Sequence, residues 1–538
     1  MQIFKAIVLF LIALTPGSFV NAQAPTILWQ RVLGDSADEM GRSVMIQSNK
    51  VVVLGYTASD SSSVDIPNKY GPLGTWDAWL LNFNQQGNVL FSKCYGSSGE
   101  DDGCDMIQDG SGISFIGKGD LNDYDVSGVH TVTPWGGPTD LWFVKLDSIN
   151  QITYQHCYGG PNSDAGLKLI KSRFGGYILA GQVQGNGGDV TCTNCNAFPD
   201  NWVVRIDDSG NILWSKALGN LLEDYLGGIV ELDDGSIVLS GSLSDYSGDV
   251  TCYNPGIGIW VVKLDTLGNI IWDQCYGGSN ADQVFCLLKG TDNTFYLGGL
   301  TYSNDGDITS VMHGVRDGWV VHMDSSGNIL WNQCVGGIQA DAISSMCRSF
   351  DNGLILGGTT FSPDVSNYHQ MSGLNVEADA YVAKMDSMGN LIWQAAYGGT
   401  DSEVIYSITE DTDSNIVFTG YSKSHDGDLP FNHGMKDLWV VKLQSAPLKV
   451  NELSGPVLSL EAGIGNGNLT VKFNLYGSNE IALTMYDLLG RPVLSKAIHG
   501  DSGMNEIILP VNSNASGIYY LELRTKYGMV SEKIISIQ

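Results

Sequence analysis

The chain has 538 residues, with 67 Gly, 23 Tyr and 13 Trp but only 16% charged residues. Acidic residues outnumber basic ones 58 to 28, and the net charge of −30 argues against nucleic-acid phosphates and anionic lipid headgroups as partners. Gly and aromatics in this proportion suit many short strands joined by tight turns.

Residues 1–22 read as a signal peptide: Lys5 supplies the positive region, Ala6 to Leu14 the apolar stretch and Val20-Asn21-Ala22 the cleavage site, with cleavage before Gln23. No Cys follows the apolar stretch. No later segment reaches the roughly 18 apolar residues of a membrane-spanning helix. The expected mature protein is exported through the periplasm, water-soluble and monomeric.

Residues 23–444 are built on a repeat. An aromatic followed by a β-rich run recurs at Trp79, Trp142, Trp202, Trp260, Trp319, Tyr381 and Trp439, roughly 60 residues apart. A second signal, Ile-Leu-Trp and its variants, centres on Trp29, Phe91, Tyr154, Trp214, Trp272, Trp331 and Trp393. Between the two signals stand turns such as Asp324-Ser-Ser-Gly327-Asn328, so these strands are hairpin neighbours. Two further short strands follow each Ile-Leu-Trp. A Gly- and Asp-rich loop then leads to the next aromatic run and is expected to cross to the next sheet. Seven four-stranded antiparallel units that cannot bury both faces alone stack radially, so the expected fold is an all-β, seven-bladed β-propeller. The first copy lacks its Trp-Val-Val strand and the last lacks its Ile-Leu-Trp strand. Residues 27–34 should therefore pair with 439–443 and close the ring.

The repeat Gly-Asn-Ile-Leu-Trp, Cys-Tyr-Gly-Gly, Asp-Gly-Asp-Val and Trp-Val-Val-Lys-Leu-Asp resembles the propeller repeats of exported Bacteroidetes proteins. The resemblance covers residues 27–444 and specifies architecture far more than function. Residues 445–456 read as a linker, and 457–538 as a small Ig-like β-sandwich of alternating strands. Tyr486-Asp487-Leu488-Leu489-Gly490-Arg491-Pro492-Val493, Ser516-Gly517-Ile518-Tyr519-Tyr520-Leu521 and Glu532-Lys533-Ile534-Ile535 resemble the type A C-terminal sorting domain of the type IX (Por) secretion system. Gly463-Ile464-Gly465-Asn466-Gly467 stands where that family has Pro-Asn-Pro. The resemblance implies passage across the outer membrane by the type IX machinery, with display outside the cell or on its surface.

Ten cysteines in an exported chain are disulfide candidates. Cys94–Cys104, Cys275–Cys286 and Cys334–Cys347 each join an Ile-Leu-Trp strand to the strand after it, so three bridges within blades are expected. Cys157 has no partner in its blade. Cys192, Cys195 and Cys252 lie in loops, and Cys192-Thr-Asn-Cys195 is either a local bridge or half a metal knuckle.

Asp65, Asp125, Asp189, Asp249, Asp307, Asp364 and Asp428 form a sevenfold loop position. Where further acids and Gly stand beside it, Asp305 with Asp307 and Asp426 with Asp428 are candidate calcium ligands, although Asp-Gly also simply makes turns. No cofactor is required. A second repeated acid stands two residues before the aromatic, at Asp77, Asp140, Asp200, Asp317, Asp379 and Asp437, with Gly258 in the remaining blade. His130, His313, His369 and His433 follow the loop Asp. Both sets read as architectural.

No His-Glu-x-x-His, Gly-x-Ser-x-Gly or phosphate-binding Gly-Lys-Thr/Ser motif occurs, so no catalytic residue is nominated. Departures from the repeat mark the candidate ligand-binding residues Trp76, Trp135, Phe198 and Tyr253. The expected function is a binding module for a glycan or protein ligand, with a glycan-acting hydrolase or lyase as the alternative.

Overall fold

The computed structural model describes residues 24–59, 66–130, 137–192, 198–219, 224–243, 245–369 and 377–444, then 457–465, 468–475, 479–486, 492–501, 503–510, 517–525 and 528–536. The signal peptide and the linker lie outside the described residues. The chain divides into two compact units, Met1–Ser445 and Ala446–Gln538.

Blade 5 shows how sequence makes a blade. Its strands are Asp282–Lys289, Phe295–Thr301, Asp317–Met323 and Ile329–Val335, antiparallel neighbours in that order. The third strand is packed on both faces by adjoining sheets, and so its Trp319-Val320-Val321 run is continuously apolar rather than alternating. The fourth strand is partly exposed over Ile329–Gln333 and buried only at Cys334 and Val335. The hairpin between them closes because Asp324 Oδ1 accepts the Ser326 and Asn328 amides and Gly327 adopts φ +86°.

Six sheets follow this plan over residues 39–95, 102–158, 165–218, 225–276, 282–335 and 341–397. The seventh combines Glu403–Glu410, Ile416–Ser422 and Asp437–Leu443 with the N-terminal strand Ile27–Leu33. Ile27 lies opposite Leu443 and Leu33 opposite Leu438, so the ring closes through both ends of the repeat as expected. Tyr397 Oη donates to the Pro25 carbonyl at 2.7 Å and ties the entering chain down.

The core repeats with the blades. Trp79, Trp142, Trp202, Trp260, Trp319, Tyr381 and Trp439 are each at most 1% exposed. Six of the seven donate to a side chain of the fourth strand, as Trp319 Nε1 does to Asn332 and Tyr381 Oη to Gln394. Truncating one such aromatic to Ala would cost about 3–5 kcal/mol.

Two expectations need correction. The long Gly- and Asp-rich loop does not cross between sheets. It joins the second and third strands of one blade, and the crossing is the short Gly-Gly link, such as Gly336-Gly337, after the fourth strand. The expected cysteine bridges fail for the same reason. Cys94, Cys275 and Cys334 end a fourth strand, whereas Cys104, Cys286 and Cys347 sit in the first strand of the next blade. These strands belong to different sheets and are not neighbours. Cys94, Cys104, Cys286, Cys334 and Cys347 are free thiols, and Cys275 is bonded instead to Cys252 in the long loop of its own blade.

The second unit packs a three-stranded sheet (Val457–Gly465, Asn468–Leu475, Gly503–Pro510) with a four-stranded one (Pro492–Gly500, Asn479–Tyr486, Gly517–Thr525, Gly528–Ser536). Alternate residues such as Leu469, Val471, Phe473, Ile481, Leu483 and Met485 fill the space between them. The Asp487–Arg491 turn lies outside the described residues.

Candidate functional site

The short links between blades, Gly-Gly in four cases, and the described parts of the long loops lie at the same end of the blades, and the charged residues of the repeat converge there. The loop Asp grips the link. Asp307 donates its amide to the Gly277 carbonyl at 3.0 Å, and its Oδ2 accepts the Gly277 amide at 3.0 Å. Asp428 does the same with Gly398. Asp305 accepts the Ser279 amide and Asp426 the Thr400 amide. The four candidate calcium ligands thus accept backbone N–H groups, and among the described residues no group of three or more His, Cys, Asp or Glu is placed to hold a metal.

The acid before each aromatic meets a second buried acid that the sequence reading passed over. Asp101, Asp164, Asp224, Asp282, Asp341, Glu403 and Glu39 open the first strands of the blades and are at most 1% exposed. In four of them the signal is an acid four residues after the second Gly of the link, whose amide it accepts, as Asp282 does from Gly278 at 2.8 Å. A Cβ on Gly219 would fall 2.3 Å from Asp200 Oδ1 and 2.5 Å from Asp224 Oδ2, so any larger link residue would have to push the two carboxylates aside. Burial pushes Asp77 up to about 8, Asp164, Asp200 and Glu403 to about 7, and Asp101 to about 6.

The four histidines complete these junctions. Each donates its backbone amide to the Asp before the aromatic and holds Nδ1 2.6–3.2 Å from the same carboxylate: His130 on Asp140, His313 on Asp317, His369 on Asp379 and His433 on Asp437. Those contacts raise the His313 and His369 pKa values. Blade 4 has Gly258 in place of the Asp, and there the Cys252–Cys275 bond holds the loop. Cys192 is also disulfide-bonded, while Cys195 lies outside the described residues.

The candidate ligand residues do not gather in one place. Trp135 lies outside the described residues. Phe198 is 46% exposed in blade 3. Tyr253, 74% exposed, borders a hollow of about 340 Å³ together with Asp305 and Asp307. Asp428 instead borders a larger groove of about 1260 Å³ with His369 and Trp393. Two polar groups of that groove are committed to the frame: Gln394 Nε2 donates to the Gly336 carbonyl and Tyr397 Oη to Pro25.

Trp76 leads to a different arrangement. The first strands of neighbouring blades contact one another and line the central channel, and each carries a β-bulge, at Arg42, Cys104, Leu167, Gly227, Phe285, Ser344 and Tyr406. A bulge re-aims its side chain. Arg42 lies over Tyr406 at 4.7 Å and Tyr56 at 5.8 Å. Tyr56 stacks on Trp76 at 5.0 Å, and Lys118 Nζ sits 4.3 Å over Trp76. On the other side Tyr406 meets Tyr421 at 6.1 Å, and Lys436 Nζ sits 5.1 Å over Tyr421. One unbroken strip therefore runs Lys118–Trp76–Tyr56–Arg42–Tyr406–Tyr421–Lys436 across blades 2, 1 and 7.

All seven residues come from three repeat positions: the bulge, the end of the second strand and the residue before the junction acid. Elsewhere the bulge holds Cys, Leu, Gly, Phe and Ser, which carry no charge at neutral pH or no polar group at all. Among the described residues none of the three cations has a carboxylate within 4.0 Å. Arg42 Nε is buried without a hydrogen-bond partner.

A ring of seven antiparallel sheets closed by its N-terminal strand, with a separate β-sandwich, defines the class: a β-propeller joined to a small sheet domain. Residues 465–538 match the family described as the secretion system C-terminal sorting domain. The protein is thus exported, to the cell surface or beyond it, and engages the type IX secretion machinery through this domain. No helix among the described residues is long and apolar enough to cross a membrane.

The regulatory protein FlaEY of Caulobacter vibrioides is 26% identical over 198 residues, which is 35% of this chain and 20% of that protein. The chain therefore spans about a fifth of the curated relative it matches. Among solved structures, a fungal alcohol oxidase in complex with copper aligns over 96% of this chain and 100% of its own, at 11% identity and TM-score 0.41. The Pan2 WD40 domain of Neurospora crassa aligns over 68% and 84% at 11% identity and TM-score 0.33. A putative 6-phosphogluconolactonase of Bacteroides fragilis aligns over 73% and 95% at 11% identity and TM-score 0.34. Likenesses of this size say nothing about a shared activity.

Proposed function

We propose that the propeller is a surface-displayed, monomeric binding module whose ligand sits at the channel mouth spanned by blades 7, 1 and 2. One observation carries this reading. The repeated acids and imidazoles bind the backbone at the blade junctions, whereas the strip from Lys118 to Lys436 occupies variable repeat positions and its cations have no carboxylate partner among the described residues. Loops and strand ends on a rigid scaffold are where binding residues concentrate.

The alternative, a glycan-acting hydrolase or lyase, draws on Asp102, an acid beside Arg42 that blade 2 alone carries at its position. Its Oδ1 accepts the Lys118 amide at 3.0 Å and the Cys104 thiol, the contacts of a structural carboxylate. Screening the full secreted chain against polysaccharide and protein arrays, in parallel with reducing-end and unsaturated-product assays, separates the readings. Binding without turnover is the expected result, weakened by Trp76→Ala. Turnover lost in Asp102→Asn would establish the enzyme instead.

A further inference from the structure

We infer that the ligand of the channel mouth is an acidic glycan, a saccharide chain bearing carboxylate or sulfate groups, read by Lys118, Arg42 and Lys436. This rests on the binding-module reading and specifies its ligand.

Neutral sugars are commonly held by apolar contact with an open aromatic face. Here the faces are taken. Tyr56 stacks against Trp76 with the planes 24° apart, while Lys118 covers the indole at 4.3 Å. Arg42 covers Tyr406, and Lys436 covers Tyr421. The aromatics act as supports that fix three cations by cation–π contact. What the strip offers outward is N–H donors on positive charge, the chemistry that pairs with carboxylate or sulfate oxygens.

The spacing selects a chain rather than a single ion. Arg42 stands in the middle, and on each side two aromatics and three contacts of 4.3 to 6.1 Å separate it from a lysine. Three separated charges suit a polymer with an anion every sugar or two. Double-stranded DNA, with a charge about every 1.7 Å, would crowd many phosphates against a chain of net charge −30. That net charge does not prevent a sparse anion from docking, because salt screens acids more than about 8–10 Å away and the three cations are in direct reach.

The chain has 58 acids and 28 bases, so three cations with no carboxylate within 4.0 Å among the described residues are a placement that composition disfavours. Asp102 stands near Arg42 and Tyr56, Asp38 near Tyr56 and Tyr421, and Glu403 and Glu377 near Tyr421; Asp102 Oδ1 is engaged by the Lys118 amide and Cys104.

Titration calorimetry of the full secreted chain with polygalacturonate, dextran sulfate, neutral dextran, poly-aspartate and single-stranded DNA tests this. The carboxylate and sulfate arms distinguish the two anion sources. Expected are binding of polygalacturonate or dextran sulfate that weakens with salt, no binding of dextran, and a loss of about tenfold or more in K118Q/K436Q. This double variant changes half-exposed side chains and leaves Arg42 packed, so its fold is preserved. Equal affinity for neutral dextran, an unaffected double variant, or poly-aspartate or DNA bound as tightly would overturn the inference. A neutral glycan or a protein bound with unchanged affinity by the double variant would overturn it while the binding-module reading stands. Polysaccharide turnover would remove that reading itself.

Discussion

The blade junctions and the channel mouth of blades 7, 1 and 2 use the same residue classes in opposite ways. At the junctions, carboxylates such as Asp77 and Asp101 are buried, bound to backbone amides and repeated around the ring. At the mouth of blades 7, 1 and 2, Arg42, Lys118 and Lys436 stand on aromatic rings joined in one strip, with no ion-pair partner among the described residues, whereas in blade 5 Arg316 meets Tyr302 alone. Carboxylates buried on backbone amides, with one oxygen of Asp77, Asp140, Asp341, Asp379 and Asp437 left without a partner, serve cohesion, whereas charge within reach of solvent serves recognition. Repetition is thus evidence of frame, and departure from it evidence of a site.

The largest test of this distinction removes residues 24–33. Blade 7 would keep three strands and expose the Asp437–Leu443 edge, so calorimetry should show a fall in Tm of more than about 10 °C. An unchanged Tm would mean that closure does not hold the ring. Next comes the C252S/C275S double variant, in the one blade where Gly258 replaces the Asp before the aromatic. The bond spans 23 residues, and its loss should cost about 3 kcal/mol in denaturant unfolding. A loss below about 0.5 kcal/mol would show that the loop is held by other contacts.

A smaller effect concerns pH. The junction acids have folded pKa values of about 6 to 8, above the ordinary carboxylate value of 3.8, because burial disfavours their charge. The folded chain therefore holds protons that the unfolded chain releases. This contribution is complete below 3.8 and is lost as pH rises through 6 to 8. The raised His313 and His369 act in the same direction. Tm should fall between about pH 5 and pH 9, and Asp77→Asn should flatten the upper part of that fall. A Tm that rises across this range would contradict the buried pairs. The smallest effect is expected at the mouth: K118Q/K436Q should shift stability by no more than about 0.5 kcal/mol. A loss comparable with that of the disulfide would erase the contrast between frame and site.

Much of the frame was readable because it repeats. Trp-Val-Val and Ile-Leu-Trp at fixed spacing specify hairpins, and the unmatched copies at Trp29 and Trp439 specify closure. The cysteine pairs were misread because the fourth strand and the one after it look like neighbours along the chain yet lie in different sheets. The candidate site was barely legible. Trp76 stood out as an aromatic the repeat does not require, but Arg42, Tyr56, Lys118, Tyr406, Tyr421 and Lys436 each look ordinary in their own blade. Comparing the bulge positions across blades would have set Arg42 and Tyr406 apart.

By itself the sequence determined seven blades, an N-terminal strand that completes the last of them, and a sorting domain at the other end. Those follow from local periodicity, turn chemistry and short motifs, which act over a few residues. Only the tertiary structure decided that the long loops stay within blades, that Cys275 bonds Cys252, and that Arg42 lies over Tyr406. Residues 364 positions apart become neighbours there because ring closure sets blade 7 beside blade 1. Closure is a property of the whole ring, and no window of the chain contains it.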